Sequence, residues 1–272
     1  MGIKQTGVPA GGVVAALLAA PLVLIIGWRG ALAALGIINF FFGFVFSALW
    51  REPEERGMGS AARHPPVPED HGPLNVWSFL PASCGTAVFL AGQMALITYL
   101  PLYLKESMGF SAYWASQALA ITQAGAMCGR VGWGAASDRL FGGRRKVVLL
   151  IIGIMGSVLL LALSLMRPQS PLFLLLLVVF LSGLCLVGYQ GVSYALIGEL
   201  AGRARTGAAL GLMITINAGA ATLGTPLFGF VVDKSESYAI AWQALAGAVA
   251  AGCLGLAALL KEPRRPMELI RE

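Results

Sequence analysis

Long stretches without any charged side chain are the feature that most constrains how this chain can fold. A helix needs about 20 mostly apolar residues to cross the hydrocarbon core of a bilayer. Eight stretches lack Asp, Glu, Lys and Arg and reach that length: residues 5–28, 30–50, 71–104, 107–129, 147–166, 168–198, 206–232 and 237–260. None alternates like a membrane β-strand, and a spanning helix satisfies its own backbone polar groups. The sequence therefore predicts an all-α, polytopic membrane protein with eight transmembrane helices.

The distribution of basic residues predicts the orientation of these helices. Only 12% of the 272 residues are charged, against about 25% in an average soluble domain. If both termini are cytoplasmic, the short loops place 15 of the 19 Lys and Arg residues on the cytoplasmic side. The net charge of +6 is then a topology signal, and no nucleic-acid partner is expected. The first stretch is longer than a usual signal-peptide core, although a cleaved signal remains the alternative.

One polar segment divides the chain into unequal parts. Residues 51–75 hold five prolines, eight charged residues and both histidines, which is typical of an exposed cytoplasmic linker. Two predicted helices (1–50) precede it, and six helices with a polar tail (76–272) follow it. Six helices after a polar linker have the size of one half of a two-half transporter, so the first two would be the end of another half.

A charged motif between two apolar segments connects the chain with a family. The stretch GRVGWGAASDRLFGGRRK (129–146) places Gly134 four residues before Asp138, with Arg139 next and Arg144-Arg145-Lys146 after a glycine turn. Positive-inside bias alone explains the last three basic residues, but it does not explain the aspartate. The motif resembles the cytoplasmic-loop signature G-x-x-x-D-R-x-G-R-R of the major facilitator superfamily, with a loop about two residues longer.

Other stretches are similar to the same family along the whole chain. They are TGVPAGG (6–12), GWR (27–29), YLPLYLKESMGFS (99–111) and GFVVDKSESY (229–238). The motif matches the position between helices 8 and 9 of the family's 12-helix fold. The resemblance thus implies a complete C-terminal six-helix bundle preceded by the last two helices of the N-terminal bundle. Met1 would then align just before helix 5, and the first four helices would be missing or supplied by a partner.

The resemblance also implies a cytoplasmic gate that latches the helix ends in the outward-facing state. Gly134 would allow a neighbouring helix to approach closely, Asp138 would accept hydrogen bonds from it, and Arg139 would be a charge partner. Arg144 and Arg145 complete the motif. We expect Arg130 and Glu199 to join this charge cluster; the alternative is that both are interfacial side chains.

The substrate cavity is expected among polar and aromatic side chains within the spans. Such groups either bridge helices or face a solute. The candidates are Gln93, Tyr99, Gln123, Tyr189, Gln190, Tyr194 and Asn217. Glycines 125, 183, 188, 219 and 224 are interpreted as packing and bending positions. No ionisable side chain lies clearly mid-span in this interpretation, so neither a coupling acid nor a buried cation for an anionic solute is expected.

These observations and the resemblance favour a secondary permease that moves a small organic solute by alternating access, with or without a coupling ion. The resemblance implies that it lies in the bacterial inner membrane. There is no GxxxxGK[ST] stretch for ATP hydrolysis. Ser193 has no histidine within a span to act as a base, which argues against an intramembrane serine protease. The four cysteines form no CxxC pair, so neither a metal nor a cofactor is expected. A non-transporting truncated protein or regulatory partner is the alternative.

Overall fold

The computed structural model describes residues 6–49 and 75–260, and within them the chain is helical without strands. The predicted linker 51–75, apart from its last residue, and the C-terminal tail after residue 260 lie outside the described residues. The α-helices are α1 (Gly7–Leu49), α2 (Leu80–Glu106), α3 (Ala112–Arg139), α4 (Arg145–Leu165), α5 (Leu172–Ser182), α6 (Gln190–Ala201), α7 (Thr206–Ser235) and α8 (Tyr238–Leu259). A π-helical turn, Gly183–Val187, lies between α5 and α6, and 3₁₀ turns occupy Val76–Ser78 and Arg203–Arg205.

Six of the described helical segments are long and apolar enough to cross a membrane. They are α1, α2, α4, the continuous segment Leu172–Ala201 that joins α5 to α6, α7 and α8. The structure thus supports a multi-pass membrane protein, while the count of eight spans stays a prediction. The first two predicted spans lie in α1, which departs from helical geometry at Gly27 (φ 69°, ψ 170°). Only glycine adopts this backbone conformation readily, and Gly27 begins the predicted loop GWR.

Helix α3 accounts for the remaining difference in the count. It begins at Ala112, inside the predicted span 107–129, and continues to Arg139, so Arg130 lies within the helix and not after it. Its polar residues keep it below the apolarity expected of a spanning helix. This composition is compatible with its position, since α3 contacts α1, α2, α4, α5, the π turn and α6.

The core of the described bundle is apolar and interrupted by a few buried polar side chains. Helix α2 packs along α7 and α8, and α4 packs along α8. The part of α1 after Gly27 contributes one buried residue, Ala31. Its phenylalanines 40, 41, 42, 44 and 46 are exposed, as expected of side chains that face lipid.

Candidate functional site

The backbones of α3 and of the π turn are in direct contact where the two segments cross, and this crossing positions the candidate site. A Cβ atom added at Gly125 would collide with the carbonyl oxygen of Phe180, and one at Gly129 with that of Leu184. In the reciprocal contact, a Cβ added at Gly183 of the π turn would collide with the carbonyl oxygen of Thr122 of α3. Small residues allow such close approach of helices in membranes. The predicted packing role of Gly125 and Gly183 is therefore confirmed.

The π turn also presents the backbone carbonyl of Leu184 to α3. Gly188 donates its N–H to Gly183 O (3.0 Å), five residues back, as a π turn requires. The indole Nε1 of Trp133 donates to Leu184 O within this turn (2.9 Å). This side-chain bond satisfies a part-buried carbonyl where the helical hydrogen-bond pattern is locally widened. Only Gly188 and Tyr189 separate this turn from Gln190, the first residue of α6.

A chain of hydrogen bonds joins three helices at this point. Arg130 of α3 is 2% exposed and donates from a terminal guanidinium nitrogen to Oε1 of Gln190 at 2.7 Å. Gln190 of α6 in turn donates from Nε2 to Oε1 of Gln93 of α2 at 3.3 Å. Gln93 is 5% exposed. We call Arg130, Gln190 and Gln93 the polar chain; it brings two predicted cavity residues together with a buried positive charge.

The buried position of Arg130 corrects one expectation. The sequence interpretation contained no buried mid-span cation, yet Arg130 lies inside α3 and is buried. Arg130 donates to Gln190, a predicted cavity residue, and its membership of the gate with Glu199 stays a prediction. Ending the predicted span at its first charge caused the error, because the helix continues for nine residues beyond Arg130.

Two predicted cavity tyrosines lie around the polar chain. Tyr189 and Tyr194 are close enough to Arg130 to interact with its charge. Tyr189 is fully enclosed: its hydroxyl donates to Thr86 O (3.4 Å), and its ring meets Phe89 edge-on with centroids 5.3 Å apart. Tyr194 is only partly buried. Tyr189 is therefore a packing residue of the core, whereas the side chain of Tyr194 is partly accessible.

Helix α7 brings Asn217 to the same level. Ser193 of α6 lies against Met213 of α7 (Oγ to Sδ, 3.9 Å), and Gly198 O accepts from Thr206 (3.5 Å), so the two helices are antiparallel. One turn beyond Met213, Asn217 therefore reaches the level of Gln190. Asn217 is 4% exposed, and its Oδ1 has no hydrogen-bond partner among the residues that the structure describes.

The two remaining cavity candidates lie elsewhere. The Tyr99 hydroxyl donates to Thr225 O (3.2 Å), and its ring packs on Phe228 with centroids 4.7 Å apart, so Tyr99 joins α2 to α7. Gln123 packs against α1, where its Nε2 would be 2.7 Å from a Cβ added at Gly12. Both side chains bridge helices, which was the alternative role for polar groups within the spans.

A cluster of charges ties helix ends together at the end of α3. Arg145, the first residue of α4, pairs with Asp138 (2.6 Å) and lies 3.5 Å from Glu199 of α6. The Arg145 side chain is 11% exposed, whereas that of Asp138 is 60% exposed. We call Asp138, Arg145 and Glu199 the ion cluster. Lys146 points elsewhere and donates from Nζ to the carbonyl oxygens of Ala257 (2.8 Å) and Leu260 (2.6 Å), which end α8.

The motif residues differ in how they take part. Asp138 meets the side chain of Arg145, and Arg139 lies in the last turn of α3 with an exposed side chain. A Cβ at Gly134 would have no described atom within 4 Å, so the close approach expected there is absent from the described region. Arg144 is exposed and precedes α4, where its N–H donates to Phe141 O (3.1 Å).

The site contains no arrangement typical of a metal centre. Within residues 6–49 and 75–260, three or more His, Cys, Asp or Glu side chains never converge closely enough to hold an ion. The structure brings together two features. One is the buried polar chain, which consists of two neutral amides and one cation, and the other is the ion cluster at the helix ends. Both are set in a bundle of apolar helices, which is the organisation of a multi-pass membrane protein.

Comparison with known proteins agrees with this class. The family model of the Major Facilitator Superfamily matches residues 1–168 and, in a second match, residues 133–272, so the two matches together span the chain. The chain belongs to the Major Facilitator Superfamily. No match to it is found among curated proteins.

Proposed function

We propose that the chain carries out secondary transport of a small organic solute by alternating access, without a catalytic step. Two observations support this function: the superfamily match over the whole chain, and the polar chain that joins three helices inside the bundle. The second observation carries the proposal, since buried polar groups that converge in an apolar membrane bundle mark a solute pathway.

The depth of the polar chain supports a central binding site. Gln93 is the middle residue of α2, with 13 helical residues on either side. Asn217 is the twelfth of the 30 residues of α7. Secondary transporters bind their solutes near the bilayer midplane, between elements that move relative to one another. We therefore assign Gln93, Arg130, Gln190, Tyr194 and Asn217 to the cavity.

We assign the ion cluster to the gate, together with the motif residues Gly134, Arg139 and Arg144. Opposite charges on the ends of α3, α4 and α6 would hold these ends together in one conformation and separate in the other. The positive-inside distribution supports a cytoplasmic location for this gate and for both termini, in an inner membrane. The first four helices of the family's fold would come from a partner or from sequence upstream of Met1.

The test is solute uptake into proteoliposomes that contain the purified chain. The solutes are radiolabelled small carboxylates, sugars and amino acids, each assayed with and without unlabelled solute inside. We expect uptake of at least one class, accelerated by the internal solute and abolished by Gln93→Leu. The control is Asn39→Leu, since Asn39 lies on α1 and bonds its own helix at Leu35 O (3.0 Å).

The intact mass of the native product, expressed from its own locus with a C-terminal tag, is measured in parallel. A product larger by about four helices is then used in the same assay. A folded chain that takes up none of these solutes, alone or at its native length, would contradict the transport function. A non-transporting or regulatory role would then be the better hypothesis.

A further inference from the structure

We propose that a cavity at one end of the bundle binds a zwitterionic lipid headgroup, in which a phosphate ester is joined to a primary ammonium. The cavity has a volume of about 210 Å³. Three segments form it: the end of α2, the residues at and after the end of α4, and the corner between α7 and α8. Helix α4 begins at the ion cluster with Arg145, and Ser164 near its other end lines the cavity. The cavity therefore lies at the opposite end of the bundle from the ion cluster.

The cavity lies at the level where a membrane meets water. Helices α2, α4, α7 and α8 are each long and apolar enough to span a membrane, and all four begin or end beside the cavity. The ends of spanning helices lie at the level of the lipid headgroups. Tyr103, which lines the cavity, is ten residues beyond Gln93 on α2, about 15 Å along the helix axis. The cavity is thus separate from the polar chain, and binding there does not depend on the proposed function.

Two opposite charges line this cavity without pairing. Arg167 follows α4, and Glu236 lies between α7 and α8. Within residues 6–49 and 75–260, neither side chain forms an ion pair or a hydrogen bond, with the other or with a third residue. The nearby carboxylate of Glu106 is engaged, since the hydroxyl of Tyr238 donates to its Oε2 at 2.6 Å. An unpaired cation and an unpaired anion in one small cavity complement a ligand that carries both charges.

Hydrogen bonds fix the backbone that carries Arg167. The hydroxyl of Tyr103 donates to Leu163 O (2.9 Å) and ties α2 to the last turn of α4. The N–H of Arg167 donates to Ser170 Oγ (3.0 Å), and Arg167 O accepts from the N–H of Ser170 (2.8 Å). A binding group on a fixed backbone loses less conformational entropy when a ligand arrives. The turn after α4 is therefore a suitable support for one half of a binding site.

The corner between α7 and α8 is fixed in a similar way and carries Glu236. The hydroxyl of Ser235 donates to Val231 O (2.6 Å), and Glu236 ends α7 in a left-handed conformation (φ 50°). Few residues other than glycine adopt this conformation, and it turns the chain sharply into α8. The two charges are thus held on two separate, hydrogen-bonded turns that face the same cavity.

The lining side chains suit the two halves of the proposed headgroup. The guanidinium of Arg167 presents paired donors that match the oxygens of a phosphate. The carboxylate of Glu236 accepts from a primary ammonium, and the ring of Tyr238 offers a π face to the same cation. The hydroxyls of Ser107 and Ser237 also line the cavity, and each can donate to a phosphate oxygen or accept from the ammonium.

The surface beside the cavity favours a lipid as the source of this group. Leu165 precedes the lining residue Met166, and Ile240 follows the lining residue Ala239. Leu165 and Ile240 are exposed and belong to the spanning helices α4 and α8, so they face hydrocarbon. The acyl chains of a lipid held in the cavity can cover these side chains, and this contact adds apolar burial that a free zwitterion lacks.

The test is lipid binding to the full chain in a neutral detergent, measured by native mass spectrometry and by the shift in unfolding temperature. The probes are phosphatidylethanolamine, phosphatidylglycerol, which has no ammonium, and free phosphoethanolamine, which has no acyl chains. We expect phosphatidylethanolamine to bind about tenfold more tightly than either of the others. Equal binding of phosphatidylglycerol would overturn the zwitterionic site. Equal binding of free phosphoethanolamine would support the zwitterionic site and overturn a lipid as its source.

Variants of the lining residues locate the site. Arg167→Gln and Glu236→Gln each remove one charge and should each weaken binding of phosphatidylethanolamine about tenfold. Ala239→Leu fills part of the cavity without changing the charge and should have a similar effect. Lys105→Gln and Asp233→Asn are the controls, since they remove exposed charges from the same helix ends outside the cavity, and binding should stay within about twofold.

The comparison between the two sets of variants decides the location. The variants change surface side chains outside the core, so their unfolding temperatures without lipid should match that of the wild type. Selective loss of phosphatidylethanolamine binding in the cavity variants would support the site. The inference is overturned if the cavity variants bind this lipid as tightly as the two control variants do.

Discussion

The guanidinium of Arg130 in α3 and the side-chain amide of Gln190 in α6 form a 2.7 Å hydrogen bond close to the point where the backbone of α3 at Gly129 meets the π turn at Leu184. The short bond depends on that contact, because any side chain at Gly129 would separate α3 from the π turn. Gln190 is the first residue after the turn to join α6, so the position of its amide follows from the geometry of the turn. The Arg130–Gln190 hydrogen bond thus depends on the packing of α3 against the π turn.

Replacing Gln190 with leucine should reduce transport strongly and stability only moderately. Leucine removes the acceptor of Arg130 and the donor to Gln93, so Arg130 loses its orientation. We expect initial uptake rates to fall at least tenfold in proteoliposomes.

Tyr99→Phe is the matched comparison for Gln190→Leu. It removes a hydroxyl that bonds Thr225 O, away from the polar chain. We expect a loss of about 1 kcal/mol in stability, typical of one hydrogen bond, with uptake within twofold of the wild type. Equal losses of uptake in both variants would contradict the assignment of Tyr99 to helix bridging.

The sequence was sufficient for the class of fold but not for the position of Arg130. Charge-free stretches and the motif at Gly134 and Asp138 identified a helical membrane protein and its family, since these features depend on composition and local spacing. Arg130 was assigned to a helix end because a charge was taken to end the span. Its burial depends on α5, the π turn and α6 packing around α3, and no local pattern encodes that contact.

The same limit applies to the glycines and to the basic residues of the motif. The GxxxD spacing predicted a close approach at Gly134, whereas the backbone contacts are at Gly125 and Gly129, nine and five residues earlier. Arg145 follows the loop that is about two residues longer than in the family motif, yet it forms the ion pair with Asp138. Which of several adjacent residues makes a tertiary contact depends on the turn at Gly142 and Gly143, where positive φ angles redirect the chain.

Substituting Gly129 with alanine should be severely destabilising. The new methyl group would collide with the carbonyl oxygen of Leu184, which is backbone and cannot rotate away. We expect a loss of about 3 kcal/mol or more in the free energy of unfolding, measured by denaturant titration in detergent.

Gly132→Ala is the control on the same helix. A Cβ there has no described atom within 4 Å, so the variant should be neutral or more stable by up to about 1 kcal/mol, since alanine favours helix. A Gly129→Ala variant as stable as Gly132→Ala would contradict the backbone contact.

Arg145 is expected to hold the ion cluster together more than either acid does. It is largely buried and lies beside both Asp138 and Glu199, so Arg145→Gln affects two interactions. We expect a loss of about 1–2 kcal/mol for Arg145→Gln and less than about 1 kcal/mol for Asp138→Asn, whose side chain is mostly exposed. If the cluster is the gate, both variants should also increase accessibility of the cavity from the cytoplasmic side.

The control for Arg145→Gln is Arg144→Gln, an adjacent and exposed cation. It should leave stability within about 0.5 kcal/mol of the wild type. Unfolding in detergent at low and high salt measures these effects, and the difference between the two arginine variants should shrink as salt screens the pairs. Equal behaviour of both variants at low salt would show that the cluster contributes nothing specific.

Lys146 should stabilise the C-terminal turn of α8 across the bundle. Its ammonium group donates to Ala257 O and Leu260 O, two carbonyls that the end of a helix leaves without intrahelical partners. Lys146→Met keeps most of the apolar stem but removes the donors, so hydrogen exchange of the amides at residues 256–260 should accelerate about tenfold, the equivalent of about 1.4 kcal/mol. Exchange within α4 should be unchanged, since its backbone bonds do not involve this side chain.

Lys105→Met, at the end of α2, is the control and should leave exchange at residues 256–260 unaltered. Unchanged exchange in the Lys146 variant would mean that the last turn of α8 is held by its own backbone bond from Leu260 N to Leu256 O, and that the lysine is not a cap.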